Sequence, residues 1–129
     1  MAISFQNQNI QFVLKHKSNT KVWLKSVVLK QKKALGELNF VFTNDEELLK
    51  YNQHYLKHNT FTDVITFDNS DSKKISGDII ISIERVKENA QKFNIDFEIE
   101  LRRVLVHGVL HLLGFKDKTK SAILEMRNT

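Results

Sequence analysis

The chain contains no cysteine and no proline. The first absence excludes disulfides, thiolate-bound zinc and a cysteine nucleophile together. With no proline, no low-complexity stretch and no internal repeat, nothing marks a linker. The 129 residues are enough for one hydrophobic core but not two, so one domain over 1–129 is expected. The opening residues Met1 to Gln6 lack a basic region followed by an apolar core, so nothing there suggests export. The longest apolar run, Val104 to Phe115, is too short to span a bilayer. A cytoplasmic location is the expectation. Also missing are an RNP-type aromatic motif, an arginine-rich arm and zinc-finger spacing, so any nucleic-acid contact would be to the backbone. What the chain does have is a basic excess: twenty Lys and Arg against fifteen Asp and Glu, net +5. That favours a polyanionic partner such as RNA or DNA, although lysine-rich solubility accounts for it about as well.

Along the chain, Ile3 to Phe5 and Ile10 to Val13 read as short strands. Ser18-Asn19-Thr20 can cap a helix from Lys21 to about Leu35, with Val22, Trp23, Val27 and Ala34 inward and Gly36 as its stop. Glu37 to Phe42 alternates polar and apolar, as a half-buried strand should. Thr43-Asn44-Asp45-Glu46 starts a helix carrying Leu48, Leu49, Tyr51, Tyr55 and Leu56. A β-branched strand over 62–67, a polar turn over 68–74 and a strongly apolar strand over 77–82 follow. That last run predicts a central strand covered on both faces. A helix from Ile83 to about Phe93 comes next. Asp96 then caps a helix with a buried stripe of Phe97, Leu101, Val104, Leu105, Gly108 and Leu112. A short final helix holds Ile123, Leu124 and Met126. The fold class is α+β, a small twisted mixed β-sheet with helices packed on it.

The richest segment is His107-Gly-Val-Leu-His111-Leu-Leu-Gly114-Phe-Lys-Asp117. Residues i and i+4 of a helix share a face, so both imidazoles can reach one ion. Gly114 lets the chain double back and bring the Asp117 carboxylate to a third corner. Three protein ligands with a fourth position left to water is the pattern of a catalytic zinc site. The histidine pair alone is weak: His54 and His58 repeat its spacing in a polar stretch where histidine needs no explanation. His107 and His111 instead stand among valines and leucines, where an imidazole needs a partner. Backbone carbonyls could supply one; a metal would serve both rings.

A zinc centre of this kind produces hydroxide near neutral pH. The ligand spacing invites comparison with metzincin peptidases, whose first histidine is followed by a glutamate base. Here that position is Gly108, which makes proteolysis the runner-up. Phosphodiester hydrolysis asks instead for cations near the phosphate oxygens. Arg103, one turn before His107, is a candidate, as are Lys57, Lys116, Lys118 and Arg102. Each taken singly reads more readily as a solvated surface charge. Together they point to a metal-dependent hydrolase acting on nucleic acid.

The segment His107 to Phe115 resembles the signature of the YbeY family, bacterial single-strand-specific endoribonucleases of ribosomal RNA maturation. Thr62 to Phe67 is similar to that family's Thr-Asp-Val-Leu-Ser-Phe strand, and Gly77-Asp78-Ile79 to its Gly-Asp-Ile strand. Leu49 to Tyr55 resembles its Leu-Asn-x-x-Tyr helix end, and the likeness runs in order from about Leu38 to Met126. The resemblance implies one zinc ion held by His107, His111 and the third-ligand position. It further implies 16S rRNA 3′-end processing and ribosome quality control, with the 30S subunit as partner. Two positions depart from the family pattern: Asp117 stands where the family usually has histidine, and Leu56 where it has arginine, with Lys57 next. Loss of that arginine keeps a zinc-containing, RNA-binding but non-catalytic assembly factor as an alternative.

Overall fold

The computed structural model describes residues 3–55 and 63–114. In chain order these form β1 (Ile3–Asn7), α1 (Lys17–Lys30), β2 (Ala34–Thr43), α2 (Asp45–Tyr55), β3 (Val64–Asp68), β4 (Lys74–Ser82), α3 (Ile83–Phe93) and α4 (Phe97–Leu112). The strands make one mixed sheet in the order β1-β2-β4-β3. β1, β2 and β4 are parallel, with Phe5 beside Phe40 and Phe40 beside Ile79. β3 closes the far edge antiparallel to β4. The expected α+β class with a small mixed sheet is what the chain adopts.

Because side chains alternate across a strand, the two sheet faces collect different residues. One face gathers Leu38, Phe40, Phe42, Ile79 and Ile81 under α1, α3 and α4, contributing Leu24, Val28, Val86, Leu101, Val104, Leu105 and Val109. The other gathers Val41, Ile65 and Ile80 under Leu48 and Tyr51 of α2. β4 is therefore central and covered on both faces, as its unbroken isoleucine run implied. β2 was expected to be half-buried, but Phe40 to Thr43 are buried without alternation because α2 also covers the second face.

Four further expectations change. The strand expected over Ile10 to Val13 does not form. α1 begins at Lys17, so Ser18, Asn19 and Thr20 lie in its first turn, where Thr20 donates to the His16 carbonyl from both backbone and hydroxyl. Its buried residues are Leu24 and Val28, while Val22 is exposed and Ala34 belongs to β2. Gly36 stops no helix: it sits at a β-bulge, where its missing side chain leaves room for the Ser76 hydroxyl, which accepts from Glu37 N at 3.0 Å. α2 begins within the expected Thr43–Glu46 box, but its cap is Asn44, whose Oδ1 accepts from Glu47 N at 2.8 Å, while the Thr43 hydroxyl donates to the Gln8 carbonyl. Leu56 and the expected final helix lie outside the described residues.

Candidate metal centre on helix α4

α4 is apolar on nearly every side because it is the helix most deeply set against the sheet. The expected stripe holds: Leu101, Val104, Leu105, Gly108 and Leu112 are buried, with Phe97 packed at the edge of the core. Asp96 is the N-cap, its backbone carbonyl accepting from Ile99 N and Glu100 N at 3.1 Å each. Gly114 ends the helix with φ 101°, in the left-handed region that only glycine enters cheaply.

Two glycines set the depth of the helix. A Cβ on Gly108 would stand 2.7 Å from Ile79 Cγ2. A Cβ on Gly77 would stand 2.5 Å from the Phe67 carbonyl oxygen and 3.0 Å from Leu112 Cδ2. An interior glycine costs a helix about 1 kcal/mol relative to alanine. Here it lets α4 lie directly on β4. Gly108 thus points into the sheet while its neighbour His107 points away, and a glutamate at 108 would have no room.

His107 and His111 come out half-buried on one face, ring centroids 5.1 Å apart and planes tilted by 49°. The Nδ1 atom of His107 is shielded from solvent. Two imidazoles sharing a tetrahedral ion at about 2.0–2.1 Å from each nitrogen would place their centroids about 5 Å apart. The pair fits two corners of such a centre. Among the described residues no set of three metal-binding side chains forms, and Asp117 lies outside them, as do Lys57, Lys116 and Lys118.

Arg103 is buried, against the expectation of a solvated charge. Its Nε donates to Glu100 Oε1 at 3.0 Å, and its Nη2 to Glu100 Oε2 at 2.7 Å and Asp63 Oδ2 at 3.1 Å. Burial pulls the guanidinium's proton affinity down, but the two carboxylates outweigh it and the net shift is upward. Glu100 is fully buried and Asp63 opens the segment into β3, so this network ties α4 to the sheet edge one turn before His107. Sequence reasoning passed over both carboxylates. Glutamate three residues before arginine on an apolar helix was the available signal for Glu100; Asp63 stood in the matched Thr62–Phe67 segment, but nothing there paired it with Arg103, forty residues away. Arg102 is exposed, its Nε 3.3 Å from the Glu98 carbonyl oxygen.

No helix among the described residues is long and apolar enough to cross a membrane. A family model described as Endoribonuclease YbeY matches residues 2–129. The chain is 50% identical over 126 residues to the endoribonuclease YbeY of Flavobacterium psychrophilum, across 98% of this chain and 89% of that relative. To the endoribonuclease YbeY of Christiangramia forsetii it is 47% identical over 118 residues, 92% of this chain and 82% of the relative. A Thermotoga maritima protein solved in solution matches with TM-score 0.63 and 27% identity, over 98% of this chain and 84% of that one.

Proposed function

Because the chain belongs to the endoribonuclease YbeY family, we propose that it is a zinc-dependent, single-strand-specific endoribonuclease. Its proposed task is 16S rRNA 3′-end maturation and ribosome quality control, with ribosomal RNA and the 30S subunit as partners in the cytoplasm. The observation that carries the reading is the His107–His111 pair, 5.1 Å between rings on a helix whose depth Gly77 and Gly108 fix. His107, His111 and Asp117 would hold the ion. When bound, zinc supplies Lewis acidity and a nucleophilic water at neutral pH.

The chain's own residues supply position. The buried Glu100–Arg103–Asp63 network keeps the histidine turn at a set height over the sheet. With Arg103 held by two carboxylates, Lys57 and Lys116 are the cations proposed to meet the scissile phosphate. Each would act as a point charge, since lysine lacks the bidentate fork of arginine. The peptidase reading loses its footing at Gly108, where the base would have to stand inside Ile79.

The test is cleavage of single-stranded RNA bearing an unprocessed 16S 3′ end, by wild type and by His111→Ala, with zinc affinity followed by chelator competition. Wild type should cut and the variant should not, while also losing zinc affinity. Equal cutting by both would refute the metal-centred reading. Zinc and RNA binding by the wild type without cutting would transfer the reading to the non-catalytic assembly factor, which Leu56 at the family's arginine position motivates.

A further inference from the structure

The net charge is not spread over the molecule. Residues 1–36 hold seven lysines, from Lys15 to Lys33, and no Asp or Glu, a local charge of +7. The rest of the chain holds thirteen Lys and Arg against fifteen Asp and Glu, or −2, so the whole +5 excess originates in this one segment. The fold concentrates it further, because 17–30 of that segment is α1.

Lys17, Lys21 and Lys25 stand at i, i+4 and i+8, one above another along the flank of α1 next to β1, where Lys21 Nζ lies 6.0 Å from the Phe5 ring centre. Lys15 and His16 lead into the helix, and Lys30 and Lys32 leave it, exposed. Lysines at the C-terminal end suit the helix dipole; those at its start oppose it, and no acidic residue stands in the first turn. Like charges at i, i+4 also destabilise a helix. A row of uncompensated lysines is therefore unfavourable for α1 in isolation, and an external polyanion would relieve it. α1 packs against α4 in the layer that holds the histidine pair. A groove between the two helices, lined by Trp23, Glu98, Ile99 and Arg102, lies on the other side of α1 from this row, and none of Lys17, Lys21 and Lys25 lines it. Trp23 is the chain's single tryptophan and is half-buried there.

We propose that the lysine flank of α1 is a docking surface for the phosphate backbone of a single RNA strand, separate from the histidine centre. The proposal rests on the reading of this chain as an RNA-acting protein and says where the strand is held. An i, i+4 lysine row repeats about every 6 Å. Each contacted phosphate releases counterions, so binding should be strongly salt-dependent, with a slope of about −0.7 per contact on a single strand.

The experiment uses the full chain carrying His111→Ala, so that the RNA stays whole, and a dye-labelled single-stranded RNA oligonucleotide read by anisotropy across a salt series. Lys17→Gln/Lys21→Gln/Lys25→Gln in this background should reduce the salt slope by about 2 and weaken binding at least tenfold. The matched control Lys50→Gln/Lys87→Gln/Lys92→Gln, which removes as much charge from other elements, should change the slope little. Arginine at 17, 21 and 25 should restore binding, which separates lost charge from lost fold.

Equal losses in both triple variants, or unchanged binding by the α1 variant, would overturn the surface even if wild-type cleavage is intact. Binding to phosphatidylglycerol vesicles or polyglutamate, but not to RNA, would overturn it as well. If wild type fails to cut RNA while the α1-dependent slope is present, the surface stands and the nuclease reading falls.

Discussion

Gly108→Ala sets two effects against each other, and the structure decides the sign. Helix propensity alone favours alanine over glycine in a helix interior by about 0.8–1 kcal/mol. On an open helix face the substitution would stabilise the protein. Here the new methyl would stand 2.7 Å from Ile79 Cγ2, well inside van der Waals contact. Ile79 is fully buried in the middle of β4, and its branched Cβ leaves few rotamers to escape into. Forcing a methyl into a filled core costs about 1–3 kcal/mol. The net expectation is destabilisation of about 1 kcal/mol, with α4 lifted and His107 displaced with it. For a chain of this size that is a fall in Tm of about 4 °C. Urea denaturation with circular dichroism measures it. Gly108→Ala/Ile79→Ala should be less destabilised than the two single changes add up to, because the cavity left by Ile79 accepts the methyl. A more stable Gly108→Ala, or strict additivity, would show that the close approach of α4 to β4 is not what keeps glycine at 108.

Arg103→Met leaves the fully buried Glu100 carboxylate without the arginine and should cost about 3–5 kcal/mol; adding Glu100→Leu should recover most of it, and equal stability of single and double variants in urea would refute this. Asn44→Ala removes the cap at the start of α2 and should cost about 1 kcal/mol, read by the same method. Asp71 accepts from Lys74 N and Lys73 N at 2.7 and 2.8 Å, which holds its carboxyl below the usual 3.8. A depressed carboxyl stabilises the fold above its unfolded value and ceases to do so as pH falls through the folded one. Asp71→Asn should therefore be less stable than wild type at neutral pH, with the gap closing below about pH 4 in a denaturation series; a gap that persists in acid would refute the assignment.

Where the sequence was legible, one strong pattern dominated. The stripe on α4 and the isoleucine run of β4 are long and apolar, and tertiary structure only confirmed their period. α1 was misphased because Val22-Trp23-Leu24 and Val27-Val28-Leu29 point apolar groups in nearly every direction. The core selected Leu24 and Val28, a choice set by the sheet and not by the helix. Gly36 was misread for a similar reason: its use depends on Ser76, forty residues away. At the site, the histidine pair was legible because its spacing is local. The anchor of Arg103 was not, because Asp63 reaches it only through the fold. Asp117, Lys57 and Lys116 lie outside the described residues.

The mixed order of the sheet also sets a timetable for the site. The β3–β4 hairpin closes a short turn, whereas β1 must find β2 and β2 must find β4 across whole intervening helices, as in Ile3 with Leu38 and Phe40 with Ile79. Such distant parallel pairings are slow, while a helix forms within about a microsecond. His107 and His111 can therefore become neighbours early, on a helix that has nothing yet to rest on. The floor made by Gly77 and Ile79 exists only after β4 has docked beside β2. During refolding, helical content should return first and a rigid histidine site last.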